Sequence, residues 1–196
     1  MSKFLIEDKS YSLSDIYQCI QLGHTISLSN SVKEKIISSR NILAESINSG
    51  NIIYGVNTGF GKLSTIKIED SKLNTLQNNL LISHAAGVGP STPNNIVKLM
   101  MLLKILSLSQ GYSGVRLELV EKMLEFINIG CIPIVPSQGS VGASGDLAPL
   151  SHMSIPLIGL GKLIYNSKEY VTSELLDTLK IKTIQLQYKE GLALIN

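Results

Sequence analysis

Ala143, Ser144 and Gly145, inside the stretch GSVGASGDLAP at residues 139–149, carry the most unusual chemical possibility in this sequence. Residues this small let the backbone double back until an amide nitrogen meets a nearby carbonyl carbon. Attack of the Gly145 nitrogen on the Ala143 carbonyl, with loss of two waters, one from the Ser144 side chain, closes a five-membered ring bearing an exocyclic methylene. That group is a strong electrophile. No ordinary side chain is one, so a protein that must pull electrons from a substrate uses a cofactor, a metal or an altered backbone. Asp146 stands where a helix begins, and Leu147, Leu150, Met153 and Leu157 share one helical face. The ring is thereby expected near the positive end of a helix, where developing negative charge is favoured.

Extended to GSVGASGDLAPLSHM, this segment resembles the signature of the aromatic amino-acid ammonia-lyases, whose self-made cofactor is 4-methylidene-imidazol-5-one formed from Ala-Ser-Gly. YGVNTGFGKL at residues 54–63, QNNLLISHAAGVG at 77–89 and the closing KEGLALIN match the same family in collinear order. The resemblance covers most of the chain. It implies a mainly α fold, the N-terminal part of the ammonia-lyase fold, with helices, short strands and a glycine-rich active-site loop. Residues 1–196 then form the cofactor-bearing domain, truncated at the C-terminal end, with the central helical bundle missing.

By the same resemblance, Tyr54 is a candidate general base, and His84 with Ser83 recognises the substrate side chain. Asn196 hydrogen-bonds near the ring and the substrate, and Asp146 assists cyclisation of Ala143, Ser144 and Gly145. A free tyrosine, with a pKa of about 10, is mostly protonated at neutral pH, so a phenolic base needs an electropositive setting. The implied reaction is non-oxidative elimination of ammonia from L-histidine to give urocanate, with no metal and no nucleotide. Phenylalanine enzymes of the family place an apolar pair at the Ser83-His84 position and tyrosine enzymes another histidine-containing pair, so phenylalanine or tyrosine is the alternative substrate. A polar pair suits an imidazole, since unpaired polar groups against a phenyl ring cost binding. The expected partners are a small-molecule amino acid and either further copies, the family being tetrameric, or a missing C-terminal portion. A carboxylate-binding arginine, a second catalytic tyrosine and a glutamate of the family have no counterpart here. The competing possibility is a noncatalytic helical module, or an inactive remnant, that needs a partner chain to cover its apolar helices.

Single residues weigh less than their setting. Tyr54 alone reads as a loop anchor with a packed ring and a satisfied hydroxyl. His84 alone reads as a core histidine at the end of the face made by Leu73, Leu76 and Leu80. GVNTGFGKLS is not a phosphate-cradling loop, because Val56 and Leu63 replace its glycine and hydroxyl, and GASGD lacks the last glycine of a nucleophile elbow.

The elements that must position these residues follow from periodicity and caps. Ser12 with Asp15 predicts a capping box ahead of Ile16, Cys19 and Ile20, with Gly23 ending the helix, and Thr25 to Leu28 favours a strand. Ser31 with Glu34 predicts the cap of a longer helix through Val32, Ile36, Leu43 and Ile47, stopped by Gly50. Residues 52–63 read as a strand end leading into a loop. Helices follow from Glu69 to His84, from Pro93 to Leu108 with apolar residues on every side, and over residues 115–127 as an amphipathic surface helix. Pro133 and Pro136 break regularity. Beyond the Asp146 helix, Gly159 and Gly161 precede a small peripheral hairpin around Asn166 and Ser167, then a helix capped by Ser173 and the start of another from Tyr188.

Composition excludes several classes. At 196 residues, 44% hydrophobic and 16% charged, the chain can bury a core and is not of the disordered class. A net charge of +2 with interspersed signs gives no basic stripe for nucleic acid. Cys19 and Cys131 lie apart, without metal-ligand spacing, and read as two buried thiols. The apolar run at 96–108 is interrupted by Lys98 and Lys104 and is too short to span a bilayer. With no targeting signal in MSKFLIEDKS, the expected location is the cytoplasm.

Overall fold

Two helices organise the core of the computed structural model, which describes residues 3–143 and 145–196. Helix α4 (Asn94–Ser109) buries Val97, Met101, Leu102, Ile105 and Leu108, and α5 (Leu117–Ile129) packs Leu119, Val120, Met123 and Phe126 against it. At the N-terminal side, β1 (Lys3–Ile6) and β2 (Thr25–Leu28) pair in parallel, with α1 (Leu13–Gln21) as the crossover. Asn128 bonds both the N–H and the C=O of Ile26 at 2.8 Å, completing the edge of β2 as another strand would. Helix α2 (Asn30–Asn48) covers α4 and α5 through Val32 and Ile36.

Helix α3 (Leu73–His84) leads into β3 (Val88–Ser91), which pairs antiparallel with β5 (Pro136–Gln138). Beside it, β4 (Ile132–Pro133) pairs with β6 (Lys162–Tyr165), and β6 with β7 (Lys168–Val171). Helix α6 (Leu147–Ser154) runs on as a 3-10 turn (Ile155–Ile158), and α7 (Thr172–Leu179) and α8 (Glu190–Ile195) close the chain.

Several expectations need correction. Residues 52–63 hold no strand: Asn57 and Thr58 bond the backbone of their own turn, leaving only an isolated bridge from Thr58 to Lys67. Helix α2 is capped by Ser29, which accepts from the Val32 N–H at 3.4 Å, so Ser31 lies inside the helix. Val171 stands at the N-cap of α7 without a side-chain bond, and Ser173 is helical. Pro133 and Pro136 lie within short strands, tolerated there because those strands are only two and three residues long. The hairpin is not peripheral, since Leu163 is fully buried and β6 joins β4. Its turn is as read, with Asn166 and Ser167 both left-handed at φ 49° and 62°. Helix α4 is not buried all round: Ile96 and Leu103 are exposed, and Lys104 is buried. Cys19 and Cys131 are buried free thiols, pushed up to about 11 by burial.

Candidate functional site

The turn that carries Tyr54 is wired from within. Ile53 N–H donates to Asn57 Oδ1 at 2.8 Å, Asn57 Nδ2 donates to the Asn51 carbonyl at 2.8 Å, and Gly55 N–H donates to Thr58 Oγ1 at 3.1 Å. Val56, Asn57 and Thr58 are buried, so the exposed Tyr54 sits on a rigid base. Its ring meets Phe60 edge-on at 5.9 Å, yet among the described residues its hydroxyl bonds nothing. The loop-anchor reading therefore holds for the ring and fails for the hydroxyl.

His84 ends α3. Its Nδ1 lies 2.8 Å from the Leu80 carbonyl, an acceptor only, so Nδ1 carries the proton and donates. Ser83 Oγ donates to the same carbonyl at 3.2 Å. In the neutral ring this fixes Nε2 as the acceptor, and among the described residues nothing occupies it.

Asn196 is held by the ties on α8, a helix too short to stand by itself. The fully buried Glu190 carboxylate accepts from Arg116 N–H at 3.0 Å, Arg116 Nε at 2.9 Å, Arg116 Nη2 at 2.8 Å and Gln187 N–H at 2.8 Å. Arg40, buried in α2, donates to the Tyr188 carbonyl and to Gln187 Oε1, with its guanidinium 3.7 Å from the centre of the Tyr188 ring. Gln77 Oε1 accepts from Leu192 N–H at 3.1 Å, and a Cβ at Gly191 would lie 2.5 Å from the Gln77 carbonyl oxygen. Lys104 Nζ donates to the backbone oxygen of Asn196 at 2.6 Å and the Ala193 carbonyl at 3.3 Å.

These three stretches converge. Tyr54, Ser83, His84 and Asn196 line one cavity of about 620 Å³, with Phe60, Leu192 and Leu147 supplying apolar wall. At its margin lies the glycine loop, where a Cβ on Gly145 would sit 3.5 Å from Asn196 Oδ1. Ser144 lies outside the described residues. Ala143 and Gly145 are exposed and do not line the cavity. Asp146 lines a different cavity, of about 470 Å³, with Lys104 and Ser140, and Ser140 Oγ donates to its carboxylate. Gly142 and Gly145 take φ 70° and 97°, a bend that residues with a Cβ resist, at the start of α6. The bend at Gly142 and Gly145, with Gly145 beside the Asn196 carboxamide, is a backbone setting that a ring made from the chain itself would fit. Among the described residues no group of side chains could hold a metal ion, and no helix is long and apolar enough to cross a membrane.

Helix α6 binds the loop to the histidine. Ser151 Oγ donates to the Leu81 carbonyl, and His152 Nε2 accepts from Gly87 N–H at 2.9 Å, so contacts on both sides of His84 are fixed by one helix. Burial holds His152 below the ordinary histidine range. The sequence reading missed Ser151, His152, Lys104, Glu190 and Gln77. The matched segments SHM, QNNL and KEGL contain four of them, but nothing local said they would pair.

A glycine-bent loop at a helix start, beside a cavity that His84 and Asn196 line, accords with an aromatic amino acid lyase. The family model of that description matches residues 11–196, and the chain belongs to this family. Histidine ammonia-lyase of Deinococcus radiodurans is 45% identical over 192 residues, 98% of this chain and 37% of that protein. Among solved structures, phenylalanine aminomutase of Pantoea agglomerans superposes with a TM-score of 0.93 at 33% identity, over 99% of this chain and 37% of its own. Histidine ammonia-lyase of Trypanosoma cruzi gives a TM-score of 0.88 at 35% identity, over 98% of this chain and 37% of its own. The chain thus spans under two fifths of the length of these relatives.

Proposed function

We propose that this chain is the N-terminal, cofactor-bearing part of a histidine ammonia-lyase, which eliminates ammonia from L-histidine to give urocanate. The observation that carries the reading is the shared cavity, in which Tyr54, Ser83, His84 and Asn196 meet with Gly145 at the margin. A 4-methylidene-imidazol-5-one formed from Ala143, Ser144 and Gly145 would supply the electrophile that withdraws electrons as the amine departs. The exposed Tyr54 oxygen, with no other partner among the described residues, is available to take the β-proton once it is in its phenolate form. His84 Nε2 accepts from a substrate N–H, a donor that imidazole has and a phenyl ring lacks, which favours histidine over phenylalanine. The Asn196 carboxamide holds the substrate beside the loop, while Phe60 and Leu192 restrict water. Asp146, bonded to Ser140, steadies the loop during cyclisation.

Because the chain spans 37% of the length of these relatives, we read the rest of the site as supplied by further copies or by a C-terminal portion. We read the enzyme as a cytoplasmic homo-oligomer with no metal and no nucleotide. The test pairs intact mass with turnover, in the chain completed by its C-terminal portion. The mass should fall short of the sequence value by two waters, and histidine should give urocanate absorbance. Ser144→Ala should restore the full mass and abolish turnover. A variant that keeps unimpaired turnover would sink the mechanism, and an unshifted mass with no turnover in the completed chain would favour the noncatalytic module.

A further inference from the structure

Lys104 is a charge on a largely apolar helix, at the wall of the cavity that Asp146 also lines. Its neighbours Leu102, Ile105 and Leu106 belong to the core, and the lysine is itself buried. Burying an ammonium costs desolvation, and an apolar residue would fill the same space more cheaply if packing were the only demand. Among the described residues the ammonium's partners are the Ala193 carbonyl at 3.3 Å and, at 2.6 Å, the backbone oxygen of Asn196, with which the sequence ends. Carbonyls at a helix C-terminus lack partners within the helix, and a cation there is favourable. The other ties on α8 act upstream: Arg116 on Glu190, Gln77 on Leu192, and Arg40 on Tyr188. Lys104 alone among them grips the residue whose Oδ1 faces Gly145.

We infer that Lys104 is a positioning residue for the reaction: by clamping the backbone of Ala193 and Asn196 it aims the Asn196 carboxamide at the glycine loop, without touching substrate. This inference rests on the reading of the cavity as the lyase site. Burial holds the Lys104 pKa below the ordinary lysine value, consistent with the cost of keeping it there. Lysine suits the task because two carbonyls from one helix end can share a single ammonium with three rotatable donors.

The test uses the polypeptide continued beyond Asn196 as in its relatives, so that the Asn196 carbonyl belongs to a peptide bond. Lys104→Met should lower turnover by about tenfold or more, Lys104→Arg should restore most of it, and Lys104→Met combined with Asn196→Ala should lose no more than Asn196→Ala alone. Multiplicative losses in the double variant, or full turnover in Lys104→Met, would overturn the inference. Should Lys104→Met fail to fold, the unaltered protein decides by NMR: ammonium protons of Lys104 that exchange slowly and show cross-relaxation to Asn196 support the clamp, and their absence refutes it. Because that readout needs no turnover, failure of the clamp stays distinct from failure of the lyase reading.

Discussion

His84 and His152 show how one residue type does two jobs set by its bonds. His84 gives its Nδ1 proton to the Leu80 carbonyl and presents Nε2 as an acceptor, so His84→Leu should erase preference for a substrate that donates there. The measurement is the ratio of kcat/KM for histidine and phenylalanine, expected to fall by about a hundredfold or more, and an unchanged ratio would remove His84 from recognition. His152 instead accepts from Gly87 N–H and must stay neutral to do so. Its ring is protonated near about 6.5 in the unfolded chain and only at lower pH in the folded one, so the unfolded state binds more protons in that window. Stability is therefore full above about 6.5 and falls as pH drops through that value toward the lowered folded pKa. In His152→Gln the amide oxygen keeps the Gly87 bond but does not titrate. Urea midpoints at about pH 7 and about pH 5 should differ less in this variant than in the parent, and equal differences would show that His152 does not set the dependence.

At the scale of elements, α8 is the piece on which the site turns, and it has little stability of its own. Gly191 lets it lie on α3, with the Gln77 carbonyl where a Cβ would go. Gly191→Ala should therefore push α8 off α3, costing about 1–3 kcal/mol, and a melting temperature equal to the parent's would show that the contact yields freely. The contrast between α8 and α1 explains what was legible beforehand. The α1 cap is a matter of residues three apart, Ser12 and Asp15, and reads directly from the sequence. At α2, Ser29 and Ser31 both offer a hydroxyl, and only the backbone entering from β2 decides for Ser29. Residues 52–63 read as a strand end leading into a loop because Ile52, Ile53 and Tyr54 run together, but Asn57 and Thr58 satisfy the backbone before a strand can pair. The cavity's polar residues were named through matched segments, whereas their ties were not. Lys104 interrupts an apolar run and Glu190 opens a helix, which locally mark them as exposed. Their burial depends on partners 89 to 92 and 74 residues away, a distance no local pattern reaches.

For the whole molecule, the question is what holds a chain that spans under two fifths of its relatives' length. The core is continuous from Ile6 to Ile195, so a packed interior exists without the remainder. Its outside is less finished. Leu13 and Tyr17 on α1 are 87% and 66% exposed, and with Ile16, Ile20, Ile96 and Leu99 they line an open groove of about 520 Å³ between α1 and α4. Covering such side chains gains about 1.5–3 kcal/mol each, enough to drive association when several are covered together. The 196-residue chain should accordingly associate as its concentration rises in sedimentation velocity, and Leu13→Asp with Tyr17→Asp should return it to monomer. Cys19 and Cys131 separate this from unfolding: buried, and with pKa values near about 11, they should resist a thiol reagent at about pH 8 in the folded chain and react once urea is added. Association that persists in the double variant with thiols protected would place the sticky surface elsewhere. Thiols that react without urea would mean instead that the interior needs the remaining length to close.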